Sequence, residues 1–252
     1  TGSHSALDDE TFEIIKELRR ELHNIPELSG QERRTMEVLK TFLREHTSLS
    51  VTDRGSWFYA LHQENGAEET VVFRADMDAI KGAGNIPYHG CGHDGHSAIL
   101  AGLCLLTEGR VFQKNLCFLF QPAEETGEGG NPCSRLLEEL GADRVYGFHN
   151  LPGYPLGTAV MRRETFSCDT VNTPEITDMS RMLFEQEGIP CLEAAAPFRW
   201  SEDFGWYLKK CQGMYFGIGA GEDCPDLHTP DYEFPDEVIR NAVRCLYLLA
   251  EI

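Results

Sequence analysis

Leu116-Cys117-Phe118-Leu119-Phe120-Gln121-Pro122-Ala123-Glu124-Glu125 changes character halfway along. Its five leading apolar residues read as a strand buried on both faces, because a strand with one wet face alternates apolar with polar positions. Pro122 stops the run, two adjacent carboxylates follow, and glycines stand at 127, 129 and 130. A solvated acidic run is the plain alternative, since Glu128 follows closely. The position directly after a buried strand argues for a site. Adjacent residues leave a strand end in different directions, so one carboxylate can bind metal while its neighbour faces substrate.

Working outward, β-rich runs lie at 57–61, 70–74, 144–148, 158–161 and 214–218, with helical patterns at 95–107, 132–140, 174–187 and 235–251. Alternating strands and helices predict an α/β sheet with helices on both faces. Residues 9–22 read as an amphipathic helix presenting Phe12, Ile15, Leu18 and Leu22. Asn24-Ile25-Pro26-Glu27 breaks it, and Ser29-Gly-Gln-Glu32 reads as a capping box opening a second helix with Met36, Leu39, Phe42 and Leu43 on its apolar face.

Polar clusters fall where such a sheet binds ligands, beyond the carboxyl ends of its strands. Asp76 and Asp78 follow the 70–74 run, Glu124 and Glu125 the 116–120 run, and His149 the 144–148 run. Between them lies Cys91-Gly-His93-Asp-Gly-His96. Thiolate, imidazole and carboxylate are the donors that borderline-soft divalent metals choose. A buried cysteine is more often a small hydrophobe than a ligand, but Gly90, Gly92 and Gly95 suit a loop that aims side chains inward. His96 is expected to cap or brace the following helix. His149 and His228 are ambiguous singly, each in a loop near this edge. His4, His23, His46 and His62 read as structural or surface residues. A Glu-Glu pair beside a metal suits division of labour between ligand and proton carrier, and the residues point to a metal-dependent hydrolase.

Composition excludes other classes. The chain has 252 residues, 41% hydrophobic and 25% charged, enough for one large domain or two small ones. A net charge of −19 argues against nucleic acid, which needs clustered Lys and Arg. Nine irregularly spaced cysteines fit reduced thiols in a cytoplasmic setting better than a disulfide scaffold. No apolar run reaches the length of a membrane span, and no signal-peptide core is visible. Thr1-Gly2-Ser3-His4 reads as a tag remnant.

In order, Arg74-Ala-Asp76-Met-Asp78-Ala, Cys91-Gly-His93-Asp-Gly-His96, Gln121-Pro-Ala-Glu124-Glu125, Gly147-Phe-His149-Asn, Ser201-Glu-Asp203-Phe204 and Leu227-His228-Thr-Pro resemble the M20 metallopeptidase family. The resemblance is to its amidohydrolase branch of aminoacylase-like, N-acetyl-diaminopimelate deacetylase-like and auxin-conjugate-hydrolase-like enzymes, and runs from about residue 10 to the end. It implies a three-layer α/β/α zinc-peptidase-like catalytic domain with a mixed, mostly parallel sheet. It also implies two divalent ions, for which a thiolate ligand at Cys91 favours zinc, with manganese, cobalt or nickel as alternatives. Carried over by position, Cys91, His93, Glu125, His149 and His228 would be metal ligands and Glu124 the general base and acid. Asp76 would orient a ligating imidazole, while Glu202 and Asp203 would support the fold without a catalytic role.

Two departures accompany the resemblance. Family members carry a lid and dimerisation domain between the strand ending near Arg162 and the segment beginning near Val171, where this chain has only Arg163 to Thr170. The stretch from Asp78 to His89 is also short. The expectation is therefore a single catalytic domain over residues 5–252, monomeric without the lid, with a homodimer possible in a lid-bearing parent. The expected substrate is a small N-acyl amino acid or peptide-like conjugate, with no nucleic-acid or membrane partner. A dipeptidase or carboxypeptidase on the same metals, and a lid-less metal-binding pseudoenzyme, are the alternatives. A cysteine amidohydrolase with Cys91 as nucleophile and His93 as base leaves the carboxylates without a purpose.

Overall fold

A computed structural model describes residues 4–252, so residues 1–3 of the stretch read as a tag remnant lie outside the described residues. Its main sheet has eight strands in the order β1 (Ser50–Asp53), β2 (Phe58–His62), β6 (Asn115–Gln121), β3 (Thr70–Asp76), β7 (Arg144–Pro152), β12 (Gln212–Gly221), β8 (Ala159–Met161) and β11 (Cys191–Glu193). The central β6, β3, β7 and β12 are parallel. β2 joins antiparallel on one side and β8 on the other. Two antiparallel pairs stand apart, β4 (Ile80–Lys81) with β5 (Pro87–Tyr88) and β9 (Thr165–Ser167) with β10 (Thr170–Val171).

The continuous apolar runs follow from burial on both faces. Along β6, Leu116, Phe118 and Phe120 join Val71, Phe73 and Ala75 of β3 in one core, while Cys117 and Leu119 join Val72 in a second. The first core lies under α1 (Asp9–His23), α2 (Arg33–His46), α3 (His93–Thr107), α5 (Pro174–Gln186) and α7 (Val238–Glu251). The second lies under α4 (Gly130–Leu140) and α6 (Gly205–Leu208). This is the expected three-layer α/β/α architecture with a mixed, mostly parallel sheet. Among the described residues no helix is long and apolar enough to cross a membrane, and all nine cysteines are free.

One local expectation fails. Ser29 and Glu32 do not form a capping box, because both are drawn toward the sheet edge. The Ser29 hydroxyl donates to Asp78 at 2.6 Å, and Glu32 accepts from the Ala123 amide at 3.0 Å. The free amides at the start of α2 turn instead to Glu27, which accepts from Arg34 and Thr35 at 3.1 and 2.6 Å. The β4–β5 and β9–β10 hairpins, β1, β11 and α6 carry too few residues for a periodic signal.

Candidate metal centre

Parallel pairing aligns the strand ends that carry polar residues. Asp76 ends β3 opposite Gln121 of β6, and His149 lies near the end of β7. Cys91 sits in the loop entering α3, and Gly92 precedes the helix with φ +84°. A β-carbon there would come within 2.4 Å of the Asn150 amide and 2.5 Å of the Tyr232 hydroxyl, so only glycine lets the loop approach. His228 also holds a positive φ, 66°, fixed by its N–H donating to the Gly90 carbonyl at 2.7 Å. Such strain in a non-glycine residue recurs at functional sites.

Hydrogen bonding sorts the histidines. His93 Nδ1 donates to Asp78 at 3.1 Å and His149 Nδ1 to the Asn150 carbonyl at 2.7 Å, so each ring turns Nε2 inward. His96 has both nitrogens engaged: Nδ1 with Asp76 at 2.7 Å, and Nε2 accepting from the Asn150 backbone amide at 3.1 Å. It ties the first turn of α3 to β3 and β7, and has no lone pair to offer. The inward Nε2 of His149 meets Cys91 Sγ at 3.4 Å. His93 Nε2 faces Asp76, Glu125 and Glu124 at 3.4, 3.5 and 3.7 Å, and His228 Nε2 lies 4.0 Å from Glu125.

The donor atoms of Cys91, His93 and His149 lie within 4.8 Å of one another, as do those of Cys91, Glu125 and His228. The two groups share one sulfur. His93 Nε2, Glu125 Oε1 and Asp76 Oδ2 are buried without hydrogen-bond partners. Converging orphan donors are costly unless a ligand satisfies them, and their chemistry suits divalent metals. All five expected ligands thus meet at one edge. Asp76 differs from its expected place: it orients His96 rather than a ligand and turns its second oxygen toward the cluster. The carboxylate that holds His93 is Asp78, unassigned at the level of sequence because its partner is fixed only by folding.

Electrostatics separate the roles further. Burial, then the nearby Glu202 carboxylate, pushes the Glu124 carboxyl well above the usual carboxylate range. Burial, then His96, holds His149 well below its ordinary value and so neutral. Burial also raises the Cys91 thiol. It opposes charge on His93, but Asp76, Cys91 and Asp78 outweigh it and raise that ring. A divalent ion bound among these groups would displace protons from the cluster.

A cavity of about 250 Å³ opens over these groups, lined also by Trp200, Ser201, Glu202 and Leu227. Trp200 packs against His149 with ring centroids 5.1 Å apart. Glu202 accepts from Arg74 at 3.0 Å and from the Tyr215 hydroxyl at 2.7 Å. Asp203 accepts from Arg74 at 2.6 Å. Both hold the fold as expected, but Glu202 additionally reaches the cavity beside Glu124. Trp200 gave no signal in the sequence, where an isolated aromatic reads as core.

The sequence profile described as peptidase family M20/M25/M40 matches residues 72–252. Among curated relatives, an N-acetyldiaminopimelate deacetylase of Lactobacillus helveticus is 31% identical over 204 residues, 73% of this chain and 53% of the relative. One from Listeria monocytogenes is 33% identical over 161 residues, 58% of this chain and 43% of the relative. The chain thus spans about half the length of the curated relatives it matches. The fold is similar to Bacillus subtilis YXEP, described as a dinuclear metal binding peptidase from the M20 family, with TM-score 0.87 and 18% identity over 97% of this chain and 98% of that one. It is also similar to the Legionella pneumophila LapA aminopeptidase, with TM-score 0.73 and 15% identity over 95% of this chain and 70% of that one. From the profile match over most of its length, the chain belongs to peptidase family M20/M25/M40, a family of hydrolytic enzymes.

Proposed function

We propose that the chain is a metal-dependent amidohydrolase acting on small N-acyl amino acids, folded as a single catalytic domain without a lid. The carrying observation is the convergence of orphaned His93 Nε2 and Glu125 Oε1 beside Cys91, His149 and His228. Cys91, His93 and His149 would hold one divalent ion and Cys91, Glu125 and His228 a second, with zinc the best match to a thiolate-containing set. Bound there, the ions supply Lewis acidity toward water and an acyl carbonyl.

The chain's own residues do the rest. Asp78 holds the His93 ring through Nδ1, and the Asn150 carbonyl holds His149, so neither imidazole can rotate away. Glu124 sits on the cavity wall, its carboxylate 3.7 Å from His93 Nε2. It accepts the proton of the attacking water and returns it to the leaving amine. The deacetylase names of the curated relatives support an N-acyl substrate over a dipeptide.

The test is zinc stoichiometry after reconstitution, followed by hydrolysis of N-acetyl amino acids and of dipeptides by the same preparation. Up to two zinc ions per chain, and chelator-sensitive release of acetate, are expected. A protein that binds no zinc, or one that cleaves dipeptides and spares N-acetyl amino acids, would sink the reading.

A further inference from the structure

His228 lines a second concavity. On its far side lies a groove of about 470 Å³ bounded by Lys81, Gly82, Ala83, Ile86, Tyr88 and Pro230, a volume ordinary for a small-molecule site. The β4–β5 hairpin and the loop carrying His228 build it. Tyr88 forms its floor. A β-carbon at Gly82 would come within 2.8 Å of the Tyr88 ring and one at Gly90 within 2.4 Å, so the ring lies flat across two glycines. Its hydroxyl donates to the Thr229 carbonyl at 3.4 Å, tying hairpin to loop. Ile86 stands at the lip, 68% exposed. Lys81 is the one cationic side chain among the residues lining either this groove or the metal cavity.

We propose that this groove is the subsite for the amino-acid half of the substrate, an inference that rests on the amidohydrolase reading. An apolar side chain packs on Tyr88 and Ile86 while the free carboxylate pairs with Lys81. Charge decides the side. The metal cavity already carries Glu124, Glu125 and Glu202, and the chain has net charge −19, so a substrate carboxylate needs a local cation. Size assigns the other half. Trp200, fixed against His149, Phe166 and Phe198 at centroid distances of 5.1, 5.8 and 5.4 Å, walls the smaller cavity and leaves room for a short acyl group. His228 belongs to both spaces, which places the amide bond between them. The substrate class is a short-chain N-acyl derivative of an apolar amino acid.

Calorimetric titration of zinc-loaded E124Q protein, which keeps the ligand set and lacks the proton carrier, reads binding without turnover. N-acetyl-leucine is expected to bind about 5-fold more tightly than N-acetyl-leucinamide, the range of a partly solvated ion pair. Lys81→Met should erase that difference. Ile86→Ser should weaken N-acetyl-leucine about 5-fold, as loss of one or two buried methylenes would, and leave N-acetylglycine unchanged. Both side chains are exposed, and circular dichroism checks that the variants fold. Failure to load zinc would overturn the metal reading beneath the inference. In zinc-replete protein, equal affinity for acid and amide, or indifference to Lys81→Met, would overturn the subsite alone, whereas no measurable binding of either ligand would overturn the N-acyl amino acid reading with it.

Discussion

Glu124 and Glu125 are chain neighbours in different surroundings, and that difference sets opposite outcomes for the same substitution. Glu124 is buried on the cavity wall beside Glu202, whereas Glu125 reaches toward His93 and His228 and donates its amide to Asp78 at 2.9 Å. Glu124→Gln is expected to keep the metals and lower kcat by at least ~100-fold, the usual size of general acid–base catalysis. Glu125→Gln should instead lower zinc content, read by elemental analysis. Equal metal loss in both would reverse the assignment. Asp78 makes a third prediction. Its carboxylate orients His93 while accepting from Ser29, so Asp78→Asn should weaken zinc binding about 10- to 100-fold, as loss of a carboxylate behind a ligating imidazole does. Unchanged zinc affinity in competition with a chelator would show that His93 is held by packing alone.

At the scale of elements, α1 clamps the start of α3. Arg19 and His23 donate to Asp94 at 3.2 and 2.9 Å, one residue from His93. The hydrogen bond to Asp94 raises the His23 ring above its ordinary value near 6.5. A raised folded value means that the stabilisation is fully present below about pH 6.5 and fades as pH rises through the folded value. His23→Gln should therefore depress Tm more at pH 5.5 than at pH 8.5, and a penalty equal at both would rule out a charged His23. Further along α3, a β-carbon on Gly102 would meet Ile15 of α1 at 2.7 Å and Val243 of α7 at 3.0 Å. Gly102→Val should cost about 1–3 kcal/mol of stability by overpacking this three-helix contact. Zinc uptake at room temperature should be unaltered, because the contact lies more than two turns along α3 from His93.

For the whole molecule, metal and fold should be coupled. Ligands that bind only the native state stabilise it, by roughly 2.7 kcal/mol at a free concentration 100 times Kd. Exhaustive chelation is therefore expected to lower Tm by several degrees and zinc to restore it. A Tm indifferent to chelator would mean that the orphaned donors are satisfied some other way. The residues between Arg162 and Val171 fold as the β9–β10 hairpin, and we expect light scattering to give the 28.3 kDa mass of one chain.

The sequence alone determined the layers and which residue types stand at the strand ends. Two-sided burial writes itself as unbroken apolar runs such as Leu116–Phe120, and turn residues mark the strand ends, so β3, β6 and β7 and the polar residues beyond them were legible from local patterning. Cys91, His93, Glu124 and Glu125 were legible as candidates because their residue types match metal chemistry at those ends, whereas His149 and His228 were ambiguous singly and became candidates through the family resemblance. Folding alone decided which carboxylate serves which imidazole. Asp78 rather than Asp76 backs His93, and Arg74 gathers Glu202 and Asp203 from 128 and 129 residues away. Ser29 bonds Asp78 instead of capping α2, and Tyr88 came to lie over Gly82 and Gly90 beside His228. Such pairings depend on where distant segments dock, and hydrogen bonds between them leave no periodicity in the chain to read.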